Sequence, residues 1–458
     1  MNQYILGICI LVVFAFAKAD AQPSPQQESY SFSLDEAIQY GLENNYQALN
    51  AKRDIAKALK QKWETTSTGL PQINGSADYQ YQIKQPVTPL PGEIVGGEPG
   101  TFVPVTFTPK QSANLTATLR QLIFDGSYIV ALEASKTFLD FSENANNKTK
   151  LEVRKGIINA YGGVLLTQEN IAILERNLDN LSKNLEETTK IYENGLAEQE
   201  DVEQLQITEA QLKNQLKSAM RQEDIAMDML KLALGIALDT PVTLESDLES
   251  LALKHMDPSL TSSSLEMEKN TDYQIAYNFT EQRRLEYKLE RAKALPTLSG
   301  FVNYGVNAFD DEFVFFDSDT RWFGQSIAGI SLNVPIFSSL GRQARTDRAK
   351  IAWDQAETDL DRTMQEIRLN YQTAVNNYQI AIDNYTTSKD NLALAERIEN
   401  KNLIKFREGI ATSFDLRQAQ TQLYATQSEY LQSMYQVITE KANLETILNT
   451  PEFINNQD

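Results

Sequence analysis

The fold turns on two stretches, YENGLAEQEDVEQLQ at residues 192–206 and FREGIATSFDLRQAQ at 406–420. Each has a Gly, a short link and an Asp near the start of a returning helical run, which is the pattern of a helical hairpin. Gly195 and Gly409 are 214 residues apart, and so are Asp201 and Asp415. Both aspartates sit where a helix N-terminus favours a carboxylate, as dipole partners or as caps.

Outward from these tips the chain is helical for an unusual distance. No proline occurs from about Ser127 to Asn194, or from about Ser338 to Glu408. At 1.5 Å per residue, some 65–70 residues make a rod of roughly 100 Å, far beyond the three turns of an average globular helix. The apolar positions alternate spacings of three and four. Examples are Ile367, Tyr371, Ala374, Tyr378, Ala381 and Tyr385, and in the first rod Ile171, Leu174, Leu178, Leu181 and Leu185. This heptad-like pattern specifies coiled-coil packing. On the returning run Glu209 and Glu223 interrupt it, and Asn, Gln and Thr crowd the remaining faces. A wall of helices with neighbours on both sides explains that mixture better than a two-stranded zipper. A solvent-exposed intramolecular hairpin is the simpler alternative.

Before each rod lie two alternating segments. Helical runs at 33–63 and 264–294 lead to Leu70-Pro71 and Leu295-Pro296, where proline ends a helix and turns its predecessor extended. In 73–83, Ile73, Ala77, Tyr79, Tyr81 and Ile83 alternate with polar residues; in the second copy Leu298, Val302, Tyr304 and Val306 share a face. The partner segments, 112–128 and 323–342, contain Ile123-Phe124 and Ile336-Phe337, and Phe124 and Phe337 are 213 residues apart. Period-two strands of about ten residues suit either a half-buried soluble sheet or a tilted membrane strand. Tyr79, Tyr81 and Tyr304 fit an interfacial girdle or ordinary sheet packing equally well. The loop at 84–110 is rich in Pro and Gly, whereas that at 309–321 is short, acidic and aromatic. Landmarks repeated at nearly one spacing imply two structural copies in the chain.

Composition narrows the function. Lys and Arg number 42 against 62 Asp and Glu, a net charge of −20, which leaves no basic surplus for a general nucleic-acid binder. ILGICILVVFAFA at 5–17, followed by ADA at 19–21, reads as a secretory signal peptide cut after Ala21. Such cleavage removes Cys9, the only cysteine, and Cys9 lies too early in the apolar run to be a lipidation site. His255 is the only histidine, and no phosphate loop or nucleophile elbow is present. Pairs such as Asp310-Asp311, Glu186-Glu187 and Glu223-Asp224 have no cleft around them and read as surface charge. The expectation is a protein that is not an enzyme, with no cofactor and no metal.

The duplicated plan, the strand starts at Pro71 and Pro296, LIFDG and VPIFSSLGR before the rods, and the two tips together resemble the outer-membrane efflux proteins of the TolC family. The likeness runs from about Phe32 to Leu448. It implies a mixed α and β fold with internal duplication, assembled as a homotrimer. Four strands per protomer would form a shared twelve-stranded transmembrane β-barrel, continued by a long periplasmic α-helical coiled-coil barrel. The organisation expected is a signal peptide at 1–21 and a first repeat at 22–237, with strands near 70–83 and 112–124 and a hairpin over 127–236. A linker and equatorial segment at 238–262 follows. The second repeat, 263–448, has strands near 296–308 and 323–336 and a hairpin over 338–448, before a C-terminal tail at 449–458.

The function implied is a passive outer-membrane exit duct of a Gram-negative bacterium, serving a tripartite efflux pump or type I secretion system. Its partners would be outer-membrane lipid, a periplasmic adaptor protein and an inner-membrane pump of RND or ABC type, with small molecules or proteins as cargo. By the resemblance, Gly195, Leu196, Gly409 and Ile410 match the tip segments that adaptors grip. Asp415 matches the first of two gate aspartates, Gln418 stands at the second, and Ala411 stands where some members carry a latching arginine. Asp201 falls on the outer hairpin, as a helix cap or secondary gate. The alternative is a periplasmic coiled-coil adaptor or scaffold without a conducting pore, although such proteins ordinarily have one hairpin and several small β domains.

Overall fold

A computed structural model describes residues 29–451. The expected signal peptide and most of the expected C-terminal tail lie outside the described residues. In chain order the elements begin with β1 (Tyr30–Phe32), α1 (Leu34–Asn44), α2 (Tyr46–Ser67), β2 (Gln72–Tyr81), β3 (Thr88–Pro91), β4 (Phe102–Val105) and β5 (Gln111–Asp125). Next come α3 (Gly126–Glu193), α4 (Gln199–Leu234), β6 (Val242–Leu244), α5 (Leu248–Lys254) and α6 (Thr271–Ala292). The chain closes with β7 (Thr297–Asp310), β8 (Phe323–Asn333), α7 (Gly341–Arg407) and α8 (Ser413–Ile447). The pair α3–α4 has its duplicate in α7–α8. No helix among the described residues is long and apolar enough to cross a membrane.

Local chemistry sets several boundaries. Ser33 and Glu36 form a reciprocal capping box at the start of α1, and Asn270 caps α6 through the amides of Asp272 and Tyr273. Pro71 and Pro296 each stand one residue ahead of a strand, β2 and β7. Four expectations need correction. The helical run at 33–63 is broken at Asn45, whose backbone turns extended (ψ 136°) while its side chain donates to the Ala233 carbonyl at 2.8 Å. The strand expected to run to 336 ends at Asn333, and Ile336 and Phe337 are exposed coil. The helical run at 264–294 starts only at Thr271, where Asn270 caps it; the loop at 84–110 holds a small antiparallel ladder, β3 on β4.

The described chain divides into two compact units. One comprises the residues through Asn45, Ile157–Lys254 and Ser388–Tyr435. Within it β1 pairs in parallel with β6, Phe32 opposite Leu244. Tyr161 is fully buried, its hydroxyl 2.9 Å from the Phe32 carbonyl and 3.1 Å from the Ser246 hydroxyl. The two polar residues that interrupt the α4 stripe have partners on α3. Glu209 accepts from Ser182 at 2.9 Å, and Glu223 from Gln168 at 3.0 Å. Both carboxylates are half-buried, and Lys213 on α4 also pairs with Glu209 at 2.8 Å, so the stripe tolerates them.

The other unit comprises Tyr46–Gly156, His255–Thr387 and the residues from Gln436 onward. Its sheet has four antiparallel strands in the order β2-β5-β7-β8. The register sorts the side chains. Ile73 opposes Leu119, which opposes Val302, which opposes Ala328; one rung away Asn74, Thr118, Asn303 and Ile327 line up on the other face. Directly opposed residues share a face, so one face is mainly apolar and the other mainly polar. In α7 the heptad residues Ile367, Ala374, Tyr378 and Ala381 are buried, and Tyr378 donates to the His255 carbonyl at 2.6 Å.

Candidate functional site: the paired hairpin tips

Each long helix ends in the same device. The Gly195 amide donates to Tyr192 at 2.8 Å and the Leu196 amide to Ile191 at 3.1 Å; Gly409 repeats this to Phe406 at 3.0 Å, and Ile410 to Lys405 at 2.8 Å. This is a Schellman turn, which requires a left-handed residue. Gly195 (φ 75°) and Gly409 (φ 69°) supply it without a Cβ clash. The turns leave Leu196 81% and Ile410 75% exposed, so two aliphatic side chains stand in solvent.

The returning helices start alike as well. The Asp201 carboxylate accepts from the Glu198 amide at 3.2 Å. The Asp415 carboxylate accepts from the Thr412 amide at 3.0 Å and its hydroxyl at 2.7 Å, while Thr412 accepts in return from the Asp415 amide at 3.2 Å. Bonds from Thr412 hold the Asp415 carboxyl below the usual carboxylate range. Both aspartates therefore cap helices, and Asp415 remains exposed, as does Gln418 one turn on. Arg417 lies over the Phe414 ring at 5.4 Å.

The two tips are also tied to each other. Ser413 donates to Asp201, and Arg407 meets Glu187 at 3.2 Å. Sequence reasoning missed Ser413 and Arg407, and treated Glu187 as surface charge. Neither contact joins residues closer than 212 positions in the chain, so no local pattern signals them. Above the tips, a groove of about 510 Å³ runs among α3, α4 and α8, lined by polar side chains such as Asn170, Gln211 and Gln215. Asn177 donates to Gln427 within it at 2.8 Å.

In the α7–α8 hairpin the stripe position after Ala395 is Glu399, where the first hairpin has Leu185. Burial pushes the Glu399 carboxyl up, against a bond from Gln420 and the charge of Arg407. Burial, with the Glu399 charge second, pushes the Tyr424 phenol up to about 12. Tyr424 packs against the Leu181, Leu205 and Leu212 cluster of the first hairpin. Among the described residues no cluster of His, Cys, Asp or Glu suits a metal ion.

A long-helix hairpin follows each pair of strands of the four-stranded sheet in the chain, and comparison with known proteins gives the class of protein. The family model described as outer membrane efflux protein matches residues 37–236 and 267–450. The chain belongs to this family, the TolC-like outer-membrane efflux channels, and so acts in transport and is not an enzyme. Comparison with curated proteins by sequence returns no match. Among solved structures it is similar to the outer membrane protein VceC of Vibrio cholerae, with 16% identity over 91% of this chain and 95% of that one and a TM-score of 0.71. The Campylobacter jejuni CmeC outer membrane channel is 15% identical over 91% and 85%, with a TM-score of 0.70. The open state of the Neisseria gonorrhoeae MtrE outer membrane channel is 16% identical over 91% and 88%, with a TM-score of 0.67. At such identities these likenesses concern the fold.

Proposed function

We propose that three copies of this chain close a twelve-stranded barrel in the outer membrane, and that their helices form a periplasmic duct. One observation carries this reading: the four-stranded sheet has two unpaired edges, β2 and β8, and a mainly apolar face. Exposed edges are templates for pairing with another chain, and closure alone removes them within a membrane. Ile73 on β2 and Ile330 on β8 are 75% and 72% exposed on that same apolar face, as expected of a lipid-facing band.

The tips give the duct its partners. Exposed Leu196 and Ile410, each beside its Gly, offer apolar contacts to the helical hairpin of a periplasmic adaptor, which an inner-membrane pump of RND or ABC type accompanies. The polar groove among α3, α4 and α8 extends that docking surface. In the trimer, three copies of Asp415 and Gln418 line the periplasmic entrance, which opens as the α7–α8 hairpin swings away from α3–α4. Small molecules or proteins then pass outward passively.

The test contrasts the two faces of one strand. Arg in place of Val302, on the apolar face, costs about 2–4 kcal/mol near the bilayer midplane; Asn303→Arg, on the polar face, does not. The expected result is a detergent-extracted trimer with conductance in the wild type and Asn303→Arg, and loss of membrane assembly in Val302→Arg. Equal behaviour of the two variants, or a monomeric protein without conductance, overturns the barrel and favours a scaffold.

A further inference from the structure

Where the sheet meets the helices, an open groove of about 740 Å³ lies between α3, α6 and α7. Its upper wall is continuous with the apolar face of the sheet. A bulge between Leu122 and Phe124 lets Phe124 pair with Leu298, and Leu298 pairs in turn with Leu332. The bulge thereby brings Phe124 to the same face as Val302 and Ile330. Phe124, Ile129 and Leu295 line the groove and are 41%, 56% and 45% exposed. Two of its walls, α3 and α6, adjoin the inner strands β5 and β7, and the third, α7, follows the edge strand β8.

Its lower wall is cationic and aromatic. Arg284, Lys288 and Arg291 recur along one side of α6 and all line the groove. Lys288 is bonded to Glu133 at 2.5 Å and Arg284 to Glu281 at 2.8 Å. Arg291 has no carboxylate at ion-pair distance among the described residues; its guanidinium lies 5.7 Å over the Tyr287 ring. Three cations face two carboxylates, and Arg291, which is exposed, carries the surplus charge. Tyr287 stacks on Trp353 at 5.9 Å, and Lys350 covers the indole at 4.0 Å. An apolar slot that opens onto a lipid-facing surface, with a Tyr-Trp stack and an unneutralised guanidinium at its foot, has the chemistry of a membrane interface.

We propose that this groove binds an anionic glycerophospholipid of the adjoining leaflet, an acyl chain lying against Phe124, Ile129 and Leu295 and the phosphate on Arg291. The assignment rests on the sheet spanning the membrane. Arg is suited to it because its planar fork pairs two phosphate oxygens at once. Lys288 and Arg284, held by their carboxylates, do not compete with Arg291 for the phosphate.

Trp353 is the reporter. With Trp63→Phe and Trp322→Phe as background, it is the remaining tryptophan. The protein is reconstituted in phosphatidylcholine vesicles in which about one lipid in ten is brominated, as either phosphatidylglycerol or phosphatidylcholine. The expected result is that brominated phosphatidylglycerol quenches Trp353 with about fivefold higher relative affinity, one near-surface cation's worth of selectivity. Arg291→Gln should bring the two lipids level while conductance stays intact. Equal quenching by both lipids in the parent, selectivity unchanged by Arg291→Gln, or no quenching in a conducting trimer each overturns the lipid site alone. A chain that neither inserts nor conducts overturns the membrane reading, and the site with it.

Discussion

The Asp201 carboxylate of the first hairpin accepts a hydrogen bond from Ser413, the first residue of the last helix of the second. One carboxylate thus caps its own helix through the Glu198 amide and ties the neighbouring tip. Arg407 and Glu187 tie the hairpins again at 3.2 Å, both about half exposed.

If the entrance opens by parting these hairpins, weakening either tie should favour the open form. Ser413→Ala is the cleaner variant, because it leaves the Asp201 cap in place. A bond to a charged acceptor, discounted for partial exposure, is worth about 1 kcal/mol, or roughly fivefold in the opening equilibrium. Arg407→Glu should act in the same direction more weakly, and Glu187→Arg combined with Arg407→Glu should restore the closed form. Single-channel recording reads all three. Open probability unchanged in both single variants removes these contacts from the gate.

Asp415 carries a charge that its capping role does not need. Asp415→Asn keeps an acceptor for the Thr412 amide and hydroxyl and removes the charge, whereas Asp415→Ala removes both. Reversal potentials in a salt gradient should move toward those of a neutral pore in both variants. Only the Ala variant should also lose helix protection at the tip. Because its capping bonds hold this carboxyl low, the wild-type charge persists until pH falls through that lowered value, below 3.8. Cation selectivity should therefore be constant from neutral pH down to about 5. Selectivity identical in wild type and Asp415→Asn would take the residue out of the pore.

Much of this was legible from local pattern. Proline at 71 and 296, Gly at 195 and 409 and the period-two strands each act within a few residues, and the structure keeps each of them. What escaped depended on distant partners. Asn45 breaks a helix that contains neither Gly nor Pro at that point, because its amide reaches Ala233 at 2.8 Å. The strand expected to reach 336 stops short, since past Asn333 no neighbour pairs with it and Pro335 cannot donate. The ties from Ser413 and Arg407, and the cations on one side of α6, needed the arrangement of helices that only the fold supplies.

Tyr161 offers a test of the small parallel pair. Its ring is fully buried, and its hydroxyl bonds the Phe32 carbonyl of β1 and the Ser246 side chain beyond β6. Tyr161→Phe keeps the packing and leaves that carbonyl without this donor, at about 1–2 kcal/mol. The expected outcome is a lower thermal midpoint with unchanged conductance in the surviving trimer. A midpoint equal to wild type would mean that water replaces the hydroxyl.

Glu399 gives the second hairpin a titrating group at a seam position where the first has a leucine. It occupies the stripe position held by Leu185 in the other copy, and burial raises its carboxyl above the usual 4.5. The folded hairpin therefore binds a proton more tightly than the unfolded one. Its contribution is complete below that reference value and is lost as pH rises through the folded value. Gln420 and Arg407 on the facing and same helices favour the ionised form, and Tyr424, pushed up to about 12, stays neutral throughout. Amide protection across residues 400–416, taken relative to the intrinsic exchange rate at each pH, should accordingly fall as pH rises above that reference value in the wild type. Glu399→Gln should flatten that profile, and Glu399→Leu, which restores the first copy's seam, should slow exchange at every pH. A profile with the same slope in wild type and Glu399→Gln would show that this carboxyl does not set the stability of the α7–α8 tip.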